Sequence, residues 1–276
     1  MINQEIDKII LNSLAEDIAQ GDITTESCVP KDRRVSGAFT AKAPGIVCGM
    51  EVAARVFALL DGNVKFEILK SDGESVERGD VIAKISGPAH AILSGERVSL
   101  NLLQRMSGIA TATAEAVKAV KGTKAKITDT RKTTPGLRVL EKYAVLAGGG
   151  SNHRHNLADG ILIKDNHIDA AGGITPAVVA ARARAHHMLK IEVETADMAQ
   201  VSEAISAGAD IIMLDNMTIP EMTEAVKLIG GRALVEASGN MGEKDLAEVA
   251  ATGVDLISIG ALTHTITALD ISLRFS

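Results

Sequence analysis

From residue 126 onward the sequence repeats one unit: a short apolar run, a few polar or glycine residues, then an amphipathic stretch. The runs are "KITDT" (126–130), "ILIKD" (161–165), "KIEVE" (190–194), "IIMLDN" (211–216), "ALVEAS" (233–238) and "LISIG" (256–260). Helical patterns alternate with them at 135–147, 175–187, 197–207, 219–229 and 243–252. Strands of continuous apolar character separated by amphipathic helices build parallel sheets covered on their faces. Six such units in this length predict an α/β fold with an incomplete (β/α) barrel, a doubly wound open sheet being the rival.

The preceding stretch reads differently. A helix near 2–19 ends at Gly21, strand character follows at 36–41, and 51–62 is a second helix closed by glycine. "VKFEILKSDGESVERGDVIAKISGPA" (64–89) alternates like a hairpin, with turns at Asp72-Gly73 and Gly79-Asp80. The pattern resembles the sandwich of biotinyl and lipoyl carriers, as architecture only, because no lysine stands in the turn those carriers modify. A long helical pattern over 90–121 is interrupted near Ser107-Gly108. Two domains are expected: an α+β sandwich-like one over 1–108 and a (β/α) barrel over 109–276, with the C-terminal tail returning to the first.

Composition narrows the partners. The net charge of −6 argues against nucleic acid and anionic membranes, and a chain with no Trp and one Tyr lacks a base-stacking surface. No apolar run reaches the roughly 18 residues that span a bilayer, and the acidic N-terminal stretch is unlike a signal peptide. Cys28 and Cys48 lack CxxC spacing and read as reduced thiols of a cytoplasmic protein.

Against that acidic background, "SNHRHNLADGILIKDNHI" (151–168) concentrates cations. The strand ends extend the theme: Asp129, Arg131 and Lys132; Lys164; Glu194; Asp215; Ser238 and Gly239; Ser258 and Gly260. In a parallel barrel all these ends meet on one face, where active sites are built. Arg131, Lys132, His153, Arg154 and Lys164 would then supply cations. Glu194 and Asp215 would suit magnesium, which takes few protein carboxylates and keeps waters or phosphates. The small residues of "EASGN" (236–240) and "SIGAL" (258–262) can present backbone N–H groups to a phosphate. A zinc site on His153 and His155 is a rival that adjacent Arg and Lys oppose. A Schiff-base aldolase using Lys164 or Lys132 is a second rival, leaving most of the cations without a task. The balance favours an anion clamp for a phosphorylated, metal-bound sugar beside a carboxylated partner.

"DTRKTTPGLRVLEKYAVLAGGGSNHRHNLADGILIKDNHI" (129–168) resembles the signature region of the quinolinate phosphoribosyltransferases. "GERVSLNLLQRMSGIAT" (95–111), "IEVE", "IIMLDN", "VEASGN" and "SIGALTH" (258–264) follow that family in order, so the resemblance spans essentially the whole chain. It implies transfer of phosphoribosyl from phosphoribosyl pyrophosphate to quinolinate with loss of carbon dioxide, giving nicotinate mononucleotide and pyrophosphate, with Mg2+. A paralogous transferase with another acceptor is the alternative. The resemblance also implies a homodimer or higher oligomer, with Arg97 entering the neighbouring subunit's site. Thr130, Arg131, Lys132, His153, Arg154 and Lys164 would hold quinolinate and nearby phosphates. Glu194 and Asp215 would serve the ribose hydroxyls and, through water, the metal. Ser238, Gly239 and Asn240, with Ser258, Ile259 and Gly260, would cradle the 5′-phosphate, with His264 at the edge.

That chemistry needs no covalent nucleophile. The pyridine nitrogen would attack C1 of the ribose as pyrophosphate leaves, with Lys132 neutralising the departing charge and Glu194 and Asp215 favouring the positive sugar. His155 and His167 are expected to support neighbours. Arg138 and Lys142 would face substrate or solvent, and Arg105, two turns after Arg97, would share its face. "GGGS" (148–151) follows a helix and reads as a helix stop and a flexible entry to the site.

Overall fold

A computed structural model describes residues 2–275 of the 276-residue chain. The described residues divide into two compact units, one of 2–114, 134–149 and 265–275, the other of 115–133 and 150–264.

The first unit opens with α1 (Gln4–Ile18), started by Asn3, whose carboxamide accepts from the Glu5 and Ile6 amides at 3.0 Å. Ile6, Ile10 and Leu14 recur every four residues and form its buried stripe. There follow α2 (Ile23–Cys28), β1 (Arg34–Ala41), β2 (Gly45–Ile46), α3 (Met50–Leu60), β3 (Lys65–Ile68), β4 (Ser75–Val76), β5 (Val81–Pro88) and α4 (Ala89–Ala119). The 64–89 stretch does pair as antiparallel β3 and β5, while its centre, β4, pairs instead with β2. Phe39, Phe57 and Phe66 meet with ring centroids 5.3–6.2 Å apart in the core of this unit. Phe39 and Phe57 are fully buried and contribute about 2–3 kcal/mol each by area, with Phe66 partly buried against them, so three of the chain's four Phe anchor this small sheet.

Helix α4 runs unbroken for 31 residues, which corrects the expected interruption at Ser107-Gly108. The Ser107 hydroxyl bridges the amide and carbonyl of Cys48 at 3.0 and 3.2 Å. A Cβ on Gly108 would stand 2.2 Å from the Thr267 carbonyl oxygen. The pair therefore admits neighbouring backbone and leaves the helix intact.

In the second unit β6 (Lys126–Thr128) begins a parallel sheet; α5 (Arg138–Ala147) then belongs to the first unit. Next come β7 (Ile161–Ile163), α6 (Asp165–Ala171), α7 (Ile174–Arg184), β8 (Ile191–Thr195), α8 (Met198–Ala207), β9 (Ile211–Asp215), α9 (Ile219–Ile229), β10 (Leu234–Ser238), α10 (Leu246–Ala251), β11 (Leu256–Ser258) and α11 (Ala261–His264). The strand order is β6-β11-β10-β9-β8-β7, all parallel. Ser151 adds a one-residue parallel rung beside Thr128. The helices start and stop on local chemistry: Thr218 and Glu221 form a capping box on α9, and Gly208 and Gly230 close α8 and α9 in the left-handed region. Ile191, Val193, Ile212, Leu214, Ala237 and Ile257 are wholly buried, which is why these strands read as apolar runs.

The last strand, β12 (Ile271–Phe275), returns to the first unit and pairs antiparallel with β1, completing the order β12-β1-β5-β3. On α5, the Arg105 guanidinium grips Glu141 at 2.6 Å and the Thr134 hydroxyl at 2.6 Å. Arg105 thus fixes the turn before α5. Lys142 is buried, so it faces neither solvent nor an open surface. Gly148 caps α5 where a Cβ would meet the Ala110 carbonyl at 2.4 Å; close packing, more than mobility, explains this glycine.

Candidate active site

Because β6–β11 are parallel and in register, Thr128 stands beside Ser258, Ser238 beside Asp215, and Thr195 beside Leu214. Their C-terminal ends therefore share one edge of the second unit, and the polar residues expected there collect on it. The sheet is strongly curled. His153, just past the Ser151 rung, has Nε2 3.1 Å from a Glu192 carboxylate on β8 and 3.7 Å from Glu236 on β10. In a flat sheet β6, which the Ser151 rung pairs with, and β8 would lie about 19 Å apart, four strand spacings. A barrel-like curl brings a residue beside β6 against β8.

The cations sit at the rim. Arg131 and Lys132 are exposed after β6, and the Lys132 stem packs over Gly260, where a Cβ would come within 2.9 Å of its Cδ. The Thr263 hydroxyl donates to the Lys132 carbonyl at 2.8 Å, tying the loop after β6 to the one after β11. Thr130 Oγ1 accepts from the Lys132 amide at 3.0 Å, holding that loop. Arg154 donates from Nη1 to the Gly160 carbonyl at 2.9 Å. Burial, then the Arg131 charge, hold its guanidinium below the usual value, so the two arginines act on one region. Lys164 pairs with Glu194, joining the ends of β7 and β8. Arg97 is exposed on α4 in the first unit.

The carboxylates fall into two layers. Glu194 and Asp215 are half-buried at adjacent strand ends, and Asp215 accepts from the Asn216 carboxamide at 2.7 Å. Deeper in the sheet, Glu192, two residues before Glu194 on β8, and Glu236, two before Ser238 on β10, are 4% and 1% exposed. Burial, then the Glu192 charge, push the Glu236 carboxyl up to about 7. Both Glu236 oxygens and Glu192 Oε1 lack a hydrogen-bond partner among the described residues. Neither residue was expected from the sequence, although an acid inside an apolar strand, two positions from a functional one, is a readable signal.

The glycine-bearing loops are built for close approach. Gly239 has φ +94°, and a Cβ there would lie 2.2 Å from Asn216 Oδ1. Asn240 also occupies the left-handed region, at φ 50°. Ser238 and Gly239 are half-buried and Asn240 exposed. The buried Ser258 hydroxyl turns back to the Ala237 carbonyl at 3.4 Å and Ile259 is buried, leaving main chain as their means of meeting a ligand. His264 is exposed, with its ring against Gly260. His167 accepts at Nδ1 from the Lys164 amide at 3.0 Å, starting α6, and the His155 amide donates to Asp159 at 2.8 Å.

Among the described residues, one set of three groups has metal-ligand spacing: His153, Glu192 and Glu236, with ligand atoms within 4.8 Å of one another. The rim pair Glu194 and Asp215 instead offers two hard oxygen donors, which suits a magnesium ion keeping most of its waters.

Known proteins carry the same pattern. Models of the C-terminal and N-terminal domains of "Quinolinate phosphoribosyl transferase" match residues 109–274 and 22–107. A "Probable nicotinate-nucleotide pyrophosphorylase [carboxylating]" of Bacillus subtilis (strain 168) is 48% identical over 273 residues, covering 99% of this chain and 94% of that protein. The crystal structure of NadC from Streptococcus pyogenes superposes with a TM-score of 0.95 at 40% identity, covering 100% of this chain and 99% of that one. The nicotinate-nucleotide pyrophosphorylase structure from Francisella tularensis gives the same TM-score and identity over 100% and 98%. The curled parallel sheet, its cationic rim and these matches along nearly the whole length agree: the chain belongs to the quinolinate phosphoribosyl transferase family.

Proposed function

We propose that this chain joins quinolinate to phosphoribosyl pyrophosphate with decarboxylation, releasing nicotinate mononucleotide, pyrophosphate and carbon dioxide in NAD biosynthesis. The observation that carries the reading is the gathering of Arg131, Lys132, Arg154 and Lys164 on one edge of an otherwise acidic molecule, beside Glu194 and Asp215. Arg131 and Arg154 clamp the two acceptor carboxylates, since guanidinium pairs with carboxylate bidentately. Lys132, its stem fixed on Gly260, neutralises the leaving pyrophosphate as a point charge. The loops at 238–240 and 258–260 receive the 5′-phosphate through backbone amides.

Glu194 and Asp215 hold the ribose hydroxyls and, through water, magnesium. When bound, magnesium supplies neutralisation of the pyrophosphate charge. The Lys164–Glu194 pair keeps that carboxylate at the rim and facing the sugar. The working unit is at least a homodimer in which the partner's α4 contributes Arg97. Two free cysteines, one exposed, support a cytoplasmic setting, and no helix among the described residues is long and apolar enough to cross a membrane.

The test is direct. Incubation with magnesium, phosphoribosyl pyrophosphate and quinolinate labelled at its 2-carboxyl should release labelled gas and yield a nucleotide. Labelled acceptor recovered unchanged would refute the reading.

A further inference from the structure

His153 was expected to hold quinolinate, yet both of its ring nitrogens are spoken for. The Arg154 backbone amide donates to Nδ1 at 2.8 Å, so Nδ1 carries a lone pair. The proton of the ring therefore lies on Nε2, 3.1 Å from a Glu192 oxygen that can accept it. The His153 amide is itself held by Asp129 at 2.9 Å, and the Arg154 guanidinium by the Gly160 carbonyl. The His153 ring thus links Glu192 to the Arg154 backbone.

We propose that His153 is a positioning residue, a neutral Nε2–H imidazole strung between Glu192 on the barrel wall and the Arg154 amide, which aims Arg154 at the acceptor's carboxylate. The inference rests on the acceptor reading above. It replaces direct ligation by His153 with indirect support, and gives the buried Glu192 a task. A metal ion held by His153, Glu192 and Glu236 is opposed by the same geometry. An ion on Nε2 would move the ring proton to Nδ1, setting two donors against each other at 2.8 Å. Glu192 offers its acceptor from within the sheet, where burial leaves little freedom, so the ring's angle is set by the wall.

Two measurements decide. Nitrogen NMR of 15N-histidine protein, with His153 assigned through His153→Gln, should show the Nε2–H tautomer without ligand and unchanged with quinolinate bound. A doubly protonated ring, or an Nε2 resonance moved onto the ligand, would overturn the proposal. In steady-state assays Glu192→Leu should raise KM for quinolinate about tenfold, the effect of one lost orienting hydrogen bond. KM for phosphoribosyl pyrophosphate should stay within about twofold over the same comparison. Glu192→Gln keeps the acceptor and should restore KM; a Gln variant as impaired as Leu sinks the idea. The ligand-free spectrum reports the tautomer even if wild-type protein makes no nucleotide, so failure of the acceptor reading would be seen separately.

Discussion

At the residue scale, Arg154 shows why the acceptor should be a diacid. Its guanidinium is partly buried, near Arg131, and anchored to Gly160 by one of its five N–H groups. A ligand with two carboxylates satisfies both arginines; one carboxylate leaves a desolvated cation unmatched, which costs several kcal/mol. We expect kcat/KM for nicotinate to fall below that for quinolinate by roughly a hundredfold or more, measured with the same phosphoribosyl donor. Comparable efficiency for the two acids would dismiss the clamp. Glu236 makes a second residue-scale prediction. Its carboxyl is raised from 4.5 to about 7, so between those pH values the folded chain keeps a proton that the unfolded chain releases. Stability contributed by this group is therefore present at low pH and lost as pH rises through about 7. Glu236→Gln cannot titrate. Its melting temperature should decline less than the wild type's between about pH 5 and pH 8, by a few degrees. Parallel declines in calorimetry would show that Glu236 is not the group responsible.

At the element scale, the strands of the second unit were legible because burial on both faces leaves only apolar residues between polar ends. Observed strands fall within a residue or two of the expected runs, and α9 spans the anticipated 219–229. Other features were not legible, three of them for instructive reasons. Helix α6 is too short and polar for an apolar period to register. The Ser151 rung is one residue long, so it has no pattern at all. The supposed break in α4 failed for a different reason: glycine in a helix has two meanings, and composition alone cannot separate a break from a close approach. Gly108 offers a test of which applies. An ordinary helix-interior glycine gains roughly 1 kcal/mol on replacement by alanine. Here the added Cβ would meet the Thr267 carbonyl oxygen at 2.2 Å, a backbone atom with little room to yield. Gly108→Ala should therefore lower the melting temperature by about 3 °C or more, the response to overpacking of 1 kcal/mol upward. A rise in the calorimetric midpoint would restore the view that this glycine only weakens the helix.

At the scale of the whole molecule, much of the candidate rim was readable because strand ends in a parallel barrel converge whatever their separation in sequence. Asp129 and Glu194 lie 65 positions apart yet belong to one edge. The layer beneath is not legible in that way, because Glu192 and Glu236 lie inside apolar strands, and the direction of the His153 ring depends on carboxylates from two of them and on a loop amide. Arg97 poses the remaining problem at this scale: it lies on α4 of the first unit, whereas the other cations lie in the second. Were the active site shared across a two-fold dimer, each site would combine Lys132 of one subunit with Arg97 of the other. Arg97→Ala and Lys132→Ala chains would each be inactive alone. A hybrid dimer of the two contains one site with both native residues and one with neither. Random pairing makes half of the dimers hybrids, so an equal mixture refolded or exchanged together should recover about a quarter of wild-type activity. Sites assembled within single chains recover nothing in any mixture, because every site then lacks one residue or the other. The fraction regained, read against the mixing ratio, thus separates the two architectures through function alone.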